Sequence, residues 1–511
     1  MTRKTCSLRK YAFAATVAAC LAGESAAKLV PAPIFNNNMV LQREKPVAVW
    51  GKADSGDAVT VRFGGKTVSA TAGADGRWRV NLPSMSAQRK GENLSISTAK
   101  GESLVYTNVV VGEVWLCSGQ SNMALSLWAR PYIGRHGNRE TNGYLDSMIV
   151  NEPDIRGAGL QNVWSKEPRD IPPVAWRPFT PDTQRQFSAV AFHYALVLHE
   201  ALKVPVGVIR SAWGGSAIEP WIPADGFAGE PGLEELATRP IDVTPPAVDE
   251  KTGKPGRDNR HQQPRAIYNA MIHPLVPYTI RGAIWYQGES NRADGHAYAG
   301  KLRALHRGWS RAFECPDMPF FFVQIAPYGY MGPNGNVSEH CEIWEGMADF
   351  ARTEKNCGMA VIVDVATLTD IHPGDKRTVS MRLAALALNR TYGRKEIPCD
   401  SPELKEWKIE DGAFNLKFDN CGEWIMHGAE PAPFEVAGAD GKFQPASAEF
   451  KSGGAVKVKS EKVPDPKQLR YSWSWRQFAY LKNEYGLPVG PFRICPEGCK
   501  KPEGGKKGDS K

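Results

Sequence analysis

Short runs of alternating apolar and polar residues dominate the chain between Lys28 and Val110. A run such as Ala58-Val-Thr-Val-Arg62 places every second side chain on one face, as a strand with one buried face requires. Turn-forming segments such as Gly73-Ala-Asp-Gly76 separate these runs. The pattern predicts a small antiparallel β-sandwich over residues 28–110.

From residue 109 onward the apolar runs no longer alternate, which favours strands buried on both faces. Runs of this kind occupy residues 109–117, 206–210, 282–286, 320–325 and 359–364. Helical spacing of apolar residues occurs between them, at 190–202, 298–313, 342–353 and 376–388. This succession of strands and helices predicts an α/β domain with a parallel sheet, which we place at residues 111–395.

Short alternating strands return after the predicted α/β domain. They lie at residues 407–410, 414–418, 434–436 and 456–458. We therefore expect a C-terminal β module over residues 396–495. Residues 496–511 are polar and carry five lysines, which is typical of a basic disordered tail.

The first 27 residues have the features of a secretory signal peptide. Basic residues between Arg3 and Lys10 precede an apolar run, and small residues follow at Ser25-Ala-Ala27. In an alternative interpretation, Val17-Ala-Ala-Cys20 is a lipoprotein signal and Cys20 is lipidated. No later segment has eighteen consecutive apolar residues, so we expect a secreted or periplasmic protein without a transmembrane segment in its mature chain.

Charge and cysteine content argue against two classes of function, nucleic-acid binding and zinc binding. The net charge of +8 is concentrated at the chain ends, and no basic stripe of the kind that binds nucleic acid is present. Eight of the ten cysteines follow residue 27, and an oxidising compartment favours disulfides among them, with the pairing left open. Cys495 and Cys499 form a close pair without a second Cys or His pair, which favours a disulfide over zinc.

Candidate catalytic residues follow the apolar runs, because ligands of an open parallel sheet bind at the carboxyl ends of its strands. Ser121 follows the first run and would begin a helix, whose N–H groups can stabilise an oxyanion. His372 follows the last run, and an acid two residues earlier could orient its ring. Taken alone, a serine in such a turn is far more often a helix cap, and a lone His-Pro pair is more often structural.

Two further loops carry polar or glycine-rich sequence at predicted strand ends. Ser211-Ala-Trp-Gly-Gly-Ser216 has adjacent glycines that let the backbone approach a ligand, although a tight turn would also explain them. Trp285-Tyr-Gln-Gly-Glu-Ser-Asn291 places amide and carboxylate groups at a strand end, where a polar loop capping a helix is the alternative.

Together these segments resemble the motifs of the sialate O-acetylesterase family, within the SGNH hydrolases. The resemblance covers nearly the whole mature chain. It is carried by Gly112–Met123, Ser211–Ser216 with Glu219 and Trp221, Trp285–Asn291, and Asp370–Pro373 with Lys376. It implies an SGNH-type, flavodoxin-like parallel-sheet domain between the two β modules, and an esterase that removes O-acetyl groups from carbohydrate, above all from sialic acid, without metal or organic cofactor.

The resemblance also implies residue roles. Ser121 is the expected nucleophile, His372 the general base and Asp370 the acid that orients it; Asp364 and Glu289 remain alternatives for the acid. The expected oxyanion hole comprises the N–H groups of Ser121 and Gly215 and the side-chain amide of Gln287. Expected substrate-binding residues are Trp213, Glu289 and Asn291.

Three other functions are weighed against this interpretation. An esterase of acetylated plant polysaccharide such as xylan would share the chemistry and differ in the pocket. A carbohydrate-binding protein without activity would not need the complete set of catalytic residue types. Cys117 as nucleophile is disfavoured, because it lies inside an apolar run and has no paired base in the sequence. The oligomeric state is left open.

Overall fold

The structure is a computed structural model that describes residues 29–127, 150–249, 251–329, 336–426, 433–477 and 480–495. The predicted signal peptide with Cys20 and the predicted basic tail, together with Cys499, lie outside the described residues. Within the described ranges, no helix combines the length and apolar character needed to cross a membrane.

The N-terminal region consists of short strands with alternating burial. They are β1 (Val30–Pro31), β2 (Val40–Gln42), β3 (Val47–Lys52), β4 (Ala58–Phe63), β5 (Lys66–Thr71), β6 (Arg77–Leu82) and β7 (Gln88–Thr98). β1, β3 and β6 form one antiparallel sheet, and β4 pairs with β5 and β7 in another. In β4 the side chains of Val59, Val61 and Phe63 are buried, as the alternating pattern predicts.

Strand β8 (Ser103–Gly119) joins this region to the central sheet. Its first half pairs antiparallel with β7 and has mostly exposed or half-buried residues. From Val109 to Gly119 every residue is buried, as an interior strand of a parallel sheet requires. The boundary predicted at residue 110 therefore lies within one continuous strand.

The central sheet contains six more strands. They are β9 (Glu152–Gly159), β10 (Trp176–Phe179), β11 (Val206–Ala212), β12 (Gly282–Tyr286), β13 (Phe320–Val323) and β14 (Cys357–Ala360). The spatial order is β10-β9-β11-β8-β12-β13-β14, and all neighbours are parallel except β10 and β9. Because β8 lies between β11 and β12, the chain continues on opposite sides of β8, and the carboxyl end of β8 is the position at which open α/β sheets bind their ligands.

Helices cover both faces of this sheet. They are α1 (Ser121–Ala124), α2 (Ala189–Leu202), α3 (Ala224–Ala228), α4 (Glu235–Thr238), α5 (Ala297–Ala312), α6 (Glu342–Thr353) and α7 (Lys376–Arg390). Short 3₁₀ turns occupy Gln184–Gln186, Glu219–Trp221, Arg260–Gln262, His273–Leu275 and Glu289–Asp294, and a π turn occupies Tyr268–Ile272. Trp115 and Cys117 of β8 pack with α2 and α7, whereas Leu116 joins the core on the other face.

The predicted helices and strands of this domain are present, but β13 ends at Val323, two residues before the predicted end, and β14 differs more. The predicted strand spans 359–364, whereas β14 ends at Ala360. After β14, Ile362 packs in the central core while Val361 and Val363 pack against the C-terminal sheet. The apolar run is therefore shared between two cores, which explains why its length exceeds that of the strand.

The C-terminal region is antiparallel β-structure. Its strands are β15 (Glu403–Glu410), β16 (Ala413–Asp419), β17 (Trp424–Met426), β18 (Phe434–Ala437), β19 (Gln444–Lys451), β20 (Ala455–Lys459), β21 (Gln468–Tyr471), β22 (Leu481–Asn483) and β23 (Phe492–Ile494). Seven of them form a sheet in the order β15-β16-β20-β19-β18-β21-β23, and β17 pairs with β22. The four strands predicted in this region are all present.

Most of the described cysteines are not cross-linked. Cys495 is disulfide-bonded. The other six described cysteines are free thiols: Cys117, Cys315, Cys341, Cys357, Cys399 and Cys421. The expectation of disulfides among the mature cysteines is therefore wrong for these six, five of which are buried within the fold.

Candidate active site

Ser121 stands directly beyond the carboxyl end of β8, at the first position of α1. Gly119 makes the turn, with φ of +140°, and a Cβ atom there would lie 2.2 Å from the carbonyl oxygen of Tyr286. The N–H of Gln120 donates to that same carbonyl at 3.0 Å, and the N–H of Trp213 donates to the carbonyl of Gly119 at 3.0 Å. The ends of β8, β11 and β12 are thus hydrogen-bonded together around the serine.

His372 approaches Ser121 from the loop that precedes α7. Its Nε2 lies 2.9 Å from Oγ of Ser121, a hydrogen-bond distance. Asp370 Oδ1 accepts the backbone N–H of His372 at 2.9 Å and lies 3.4 Å from its Nδ1. Solvent reaches both side chains, which are 18% and 20% exposed.

The structure separates the three alternatives for the acid. Asp364 forms buried ion pairs with Arg382 and Lys482, each at 2.6 Å, and forms no hydrogen bond or ion pair with His372. Oε1 of Glu289 accepts a hydrogen bond from Asn122 at 2.6 Å. Of the three carboxylates, Asp370 alone contacts the histidine, so the Asp364 and Glu289 alternatives are wrong in this geometry.

Glycines after β11 bring a second loop against the serine. A Cβ atom on Gly214 would lie 3.4 Å from Cβ of Ser121, and Gly215 has φ of +75°. Across the described ranges, the N–H groups of Ser121 and Gly215 have no acceptor within hydrogen-bond distance. These two backbone groups are therefore available as donors to a ligand oxygen.

Gln287 does not offer such a donor. Its Nε2 donates to the carbonyl of Ser216 at 3.1 Å and to Oδ1 of Asn291 at 2.7 Å, so both amide hydrogens are occupied. Its Oε1 accepts from the hydroxyl of Tyr298 at 2.6 Å, and the side chain is completely buried. The expectation that Gln287 donates directly to an oxyanion is therefore corrected. Its side chain instead connects the loop after β11 with the loop after β12.

Asn291 is also saturated by protein contacts. Its Oδ1 accepts from Gln287 and from the N–H of Ile218 at 2.9 Å. Its Nδ2 donates to Glu219 at 3.1 Å and to Asp294 at 2.7 Å. The expected substrate-binding role of Asn291 is corrected, because no donor or acceptor remains for a sugar.

Glu289 is buried and accepts a hydrogen bond from Asn122, the residue after Ser121, which argues against the expected role of Glu289 in substrate binding. Burial raises the pKa of its carboxyl group above the usual range, against the opposing effects of the Asn122 hydrogen bond and the Lys376 charge. Asn122 and Lys376 are thus part of the site although the sequence interpretation gave them no role. The available signal was that both residues lie in the motifs that carry the family resemblance.

Of the five aromatic residues in the motifs, only Trp213 retains exposed ring surface, and Trp115 of β8 is completely buried. It stacks on His261 with ring centroids 4.5 Å apart and an interplanar angle of 4°. Trp221, Trp285 and Tyr286 are completely buried and pack in the core.

Cys117 is equally buried, and burial raises the pKa of its thiol, so it cannot serve as a thiolate nucleophile.

A serine hydroxyl, an imidazole at hydrogen-bond distance and a carboxylate beside the second ring nitrogen form this site, at the carboxyl edge of a parallel sheet. This arrangement defines an α/β enzyme of the serine ester hydrolase class. Residues 111–372 match the family described as carbohydrate esterase, sialic acid-specific acetylesterase. The chain belongs to this family.

Full-length relatives agree with the family match. The chain is 30% identical to human sialate O-acetylesterase and 28% identical to the rat enzyme, covering 90% of this chain and 91% and 93% of theirs. Among solved structures, a carbohydrate acetylesterase from Xanthomonas citri superposes with a TM-score of 0.79 at 32% identity. That superposition covers 92% of this chain and all of the other.

Proposed function

We propose that this esterase removes O-acetyl groups from sialic acid, with Ser121 as nucleophile, His372 as general base and Asp370 as the acid that orients it. The observation that carries the roles is the 2.9 Å distance between Nε2 of His372 and Oγ of Ser121. The family match and the names of the mammalian relatives support the substrate.

The reaction proceeds in two steps. His372 takes the proton of Ser121 as Oγ attacks the acetyl carbonyl carbon, and the imidazolium then protonates the departing sugar oxygen. The acetyl-enzyme is hydrolysed by a water molecule that His372 deprotonates, which releases acetate and restores the serine hydroxyl. In both steps Asp370 holds the ring and stabilises its charged form.

The N–H groups of Ser121 and Gly215 form the oxyanion hole in this proposal. Both lack an acceptor in the described part of the chain. Gln287 contributes indirectly, because its hydrogen bond to the carbonyl of Ser216 fixes the loop that carries Gly215. Fixed donors stabilise the developing oxyanion without reorganisation cost, which makes them effective in catalysis.

We also propose that the central sheet belongs to an SGNH-type domain and that the protein is secreted or periplasmic. With the edge strands β10 and β9 left out, the order β11-β8-β12-β13-β14 corresponds to 2-1-3-4-5, the order of flavodoxin-like sheets, which supports an SGNH-type domain at residues 111–395. The β modules at 28–110 and 396–495 then flank it. The signal-like residues 1–27 support secretion or a periplasmic location, with lipidation at Cys20 as the alternative.

Trp213 is the proposed sugar contact. Its ring is half-buried next to Gly214 and supported on one side by His261, so the remaining surface can stack on a pyranose. The second candidate substrate is acetylated polysaccharide such as xylan, since the Xanthomonas citri relative is described only as a carbohydrate acetylesterase.

The test compares acetate release by the wild type, Ser121→Ala and His372→Ala, with exposed Ser69→Ala as control. Substrates are 4-nitrophenyl acetate, O-acetylated sialic acid and acetylated xylan. We expect both site variants to lose at least roughly 1,000-fold in kcat on every substrate, while the control keeps wild-type activity. Retained activity in Ser121→Ala would overturn the mechanism, and a preference for xylan would overturn the substrate.

A further inference from the structure

Asn122, the residue after Ser121, contacts three separate segments of the site. Its Nδ2 donates to Oε1 of Glu289 at 2.6 Å and to the carbonyl oxygen of Ile371 at 3.1 Å. Its Oδ1 accepts from the ammonium group of Lys376. The side chain is completely buried, so water does not compete for these bonds.

The charges around Asn122 fix the orientation of its amide. A flipped amide would place NH₂ against the Lys376 ammonium and the oxygen against the Glu289 carboxylate, and every contact would become repulsive. The Lys376 ammonium is held in turn over the ring of Tyr286, 5.2 Å from its centroid. The position of Asn122 is therefore set by two buried charged groups.

These contacts join the nucleophile to its base. Asn122 is covalently adjacent to Ser121, and Ile371 is covalently adjacent to His372. Lys376 is the first residue of α7, which follows the loop that contains His372. A displacement at Asn122 therefore changes the distance between Oγ of Ser121 and Nε2 of His372.

We infer that Asn122 is a positioning residue for the Ser121–His372 pair, and that Glu289 and Lys376 hold its amide in the required orientation. This inference rests on the proposed roles of Ser121 and His372. It also gives Glu289 a function: Oε1 accepts from Asn122, while Oε2 is buried and has no hydrogen-bond partner in the described part of the chain.

The decisive variant is Asn122→Asp, which keeps the shape and replaces the NH₂ group by an oxygen that faces the Glu289 carboxylate. We expect kcat on 4-nitrophenyl acetate to fall by roughly 100-fold, as for a misplacement of about 1 Å, with KM nearly unchanged. Adding Glu289→Gln restores a donor–acceptor pair across the same contact. We expect this double variant to recover most of the lost kcat.

Buried Asn269 provides the matched control. Its Nδ2 donates to the carbonyls of Ser165 and Lys166 at 3.1 and 2.8 Å, and it has no contact with the catalytic pair. Asn269→Asp should lower the melting temperature and leave kcat at the wild-type value. Asn122→Asp should lower kcat even at temperatures where it is fully folded.

Labelling of Ser121 by a fluorophosphonate separates this inference from the proposed function. If the wild type is not labelled at Ser121, the proposed nucleophile is wrong. If the wild type is labelled and Asn122→Asp reacts equally fast, the positioning role is wrong. Should Asn122→Asp not fold, the double variant carries the test, and a folded but inactive double variant would also overturn the inference.

Discussion

Nε2 of His372 lies 2.9 Å from Oγ of Ser121, although 251 residues separate the two in the chain. The topology of the sheet produces this proximity, because β8 is central and its carboxyl end faces the loop that leads into α7. The two side chains lie at hydrogen-bond distance from each other, as expected for a preorganised site.

Asp370→Asn should lower kcat/KM for 4-nitrophenyl acetate by roughly 1,000- to 10,000-fold, as loss of the acid does in other serine triads. The amide oxygen can still accept the N–H of His372, but the charge that stabilises the imidazolium is lost. The melting temperature should change little, because the side chain is partly exposed. Asp440→Asn, in an exposed turn, is the control, and a fully active Asp370→Asn would exclude Asp370 as the acid.

Gln287→Ala should lower both stability and activity. The substitution leaves the carbonyl of Ser216 without its donor, and a buried unpaired group costs about 1–3 kcal/mol. It also removes one of the two hydrogen bonds at Oδ1 of Asn291 and one of those at the hydroxyl of Tyr298. A direct oxyanion donor behaves differently, since its loss raises the barrier by about 2.7–4 kcal/mol and leaves the fold intact. Urea denaturation and kcat on the same preparation decide between the two, and unchanged stability with reduced kcat would restore the direct role.

Gly119→Ala should prevent assembly of the site. The added Cβ would lie 2.2 Å from the carbonyl oxygen of Tyr286, a backbone atom that cannot move without displacing β12. Gly393→Ala is a matched control, because Gly393 also has a positive φ, +72°, but nothing lies within 4 Å of the added Cβ. We expect soluble, active Gly393→Ala and inactive or insoluble Gly119→Ala; equal behaviour would show that the clash is relieved.

Local sequence predicts much of this fold, since periodicity depends on which faces are buried. The buried half of β8 and helix α7 both follow from apolar spacing within a few residues. The end of β14 does not follow from apolar spacing. Val361 and Val363 are apolar because they pack in a different core, that of the C-terminal sheet. A pattern of hydrophobic residues shows that they are buried, and it does not show which partner buries them.

The sequence likewise predicts some features of the site and not others. Motif resemblance identifies Ser121 and His372, which the structure brings together. It assigns Gln287 and Asn291 to ligand contact, whereas both are saturated by hydrogen bonds to residues distant in sequence. Whether a polar side chain has a donor to spare depends on tertiary contacts, which a single sequence does not contain.

Asp364 links the catalytic domain to the C-terminal module through Arg382 of α7 and Lys482 of β22. Burial disfavours its charged form, but the hydrogen bonds and charges of the two cations outweigh burial and lower its pKa below the usual 3.8. Asp364→Asn leaves both buried cations without their counterion, so we expect a loss of about 3–5 kcal/mol in unfolding free energy at pH 7.

The same shift predicts how this loss depends on pH. Because the pKa of Asp364 is lower in the native state, the unfolded state binds more protons at acid pH. The stabilisation by Asp364 is therefore complete above its pKa in the unfolded state, and it is lost as the pH falls through its pKa in the native state. The stability difference between wild type and Asp364→Asn should therefore be constant from pH 7 to 5 and shrink below about pH 4. Urea denaturation at pH 7, 5 and 3 measures it, with exposed Asp465→Asn as control. A difference that persists undiminished at pH 3, with the native Asp364 carboxyl shown to be protonated there by NMR titration, would mean that packing rather than charge links the two modules.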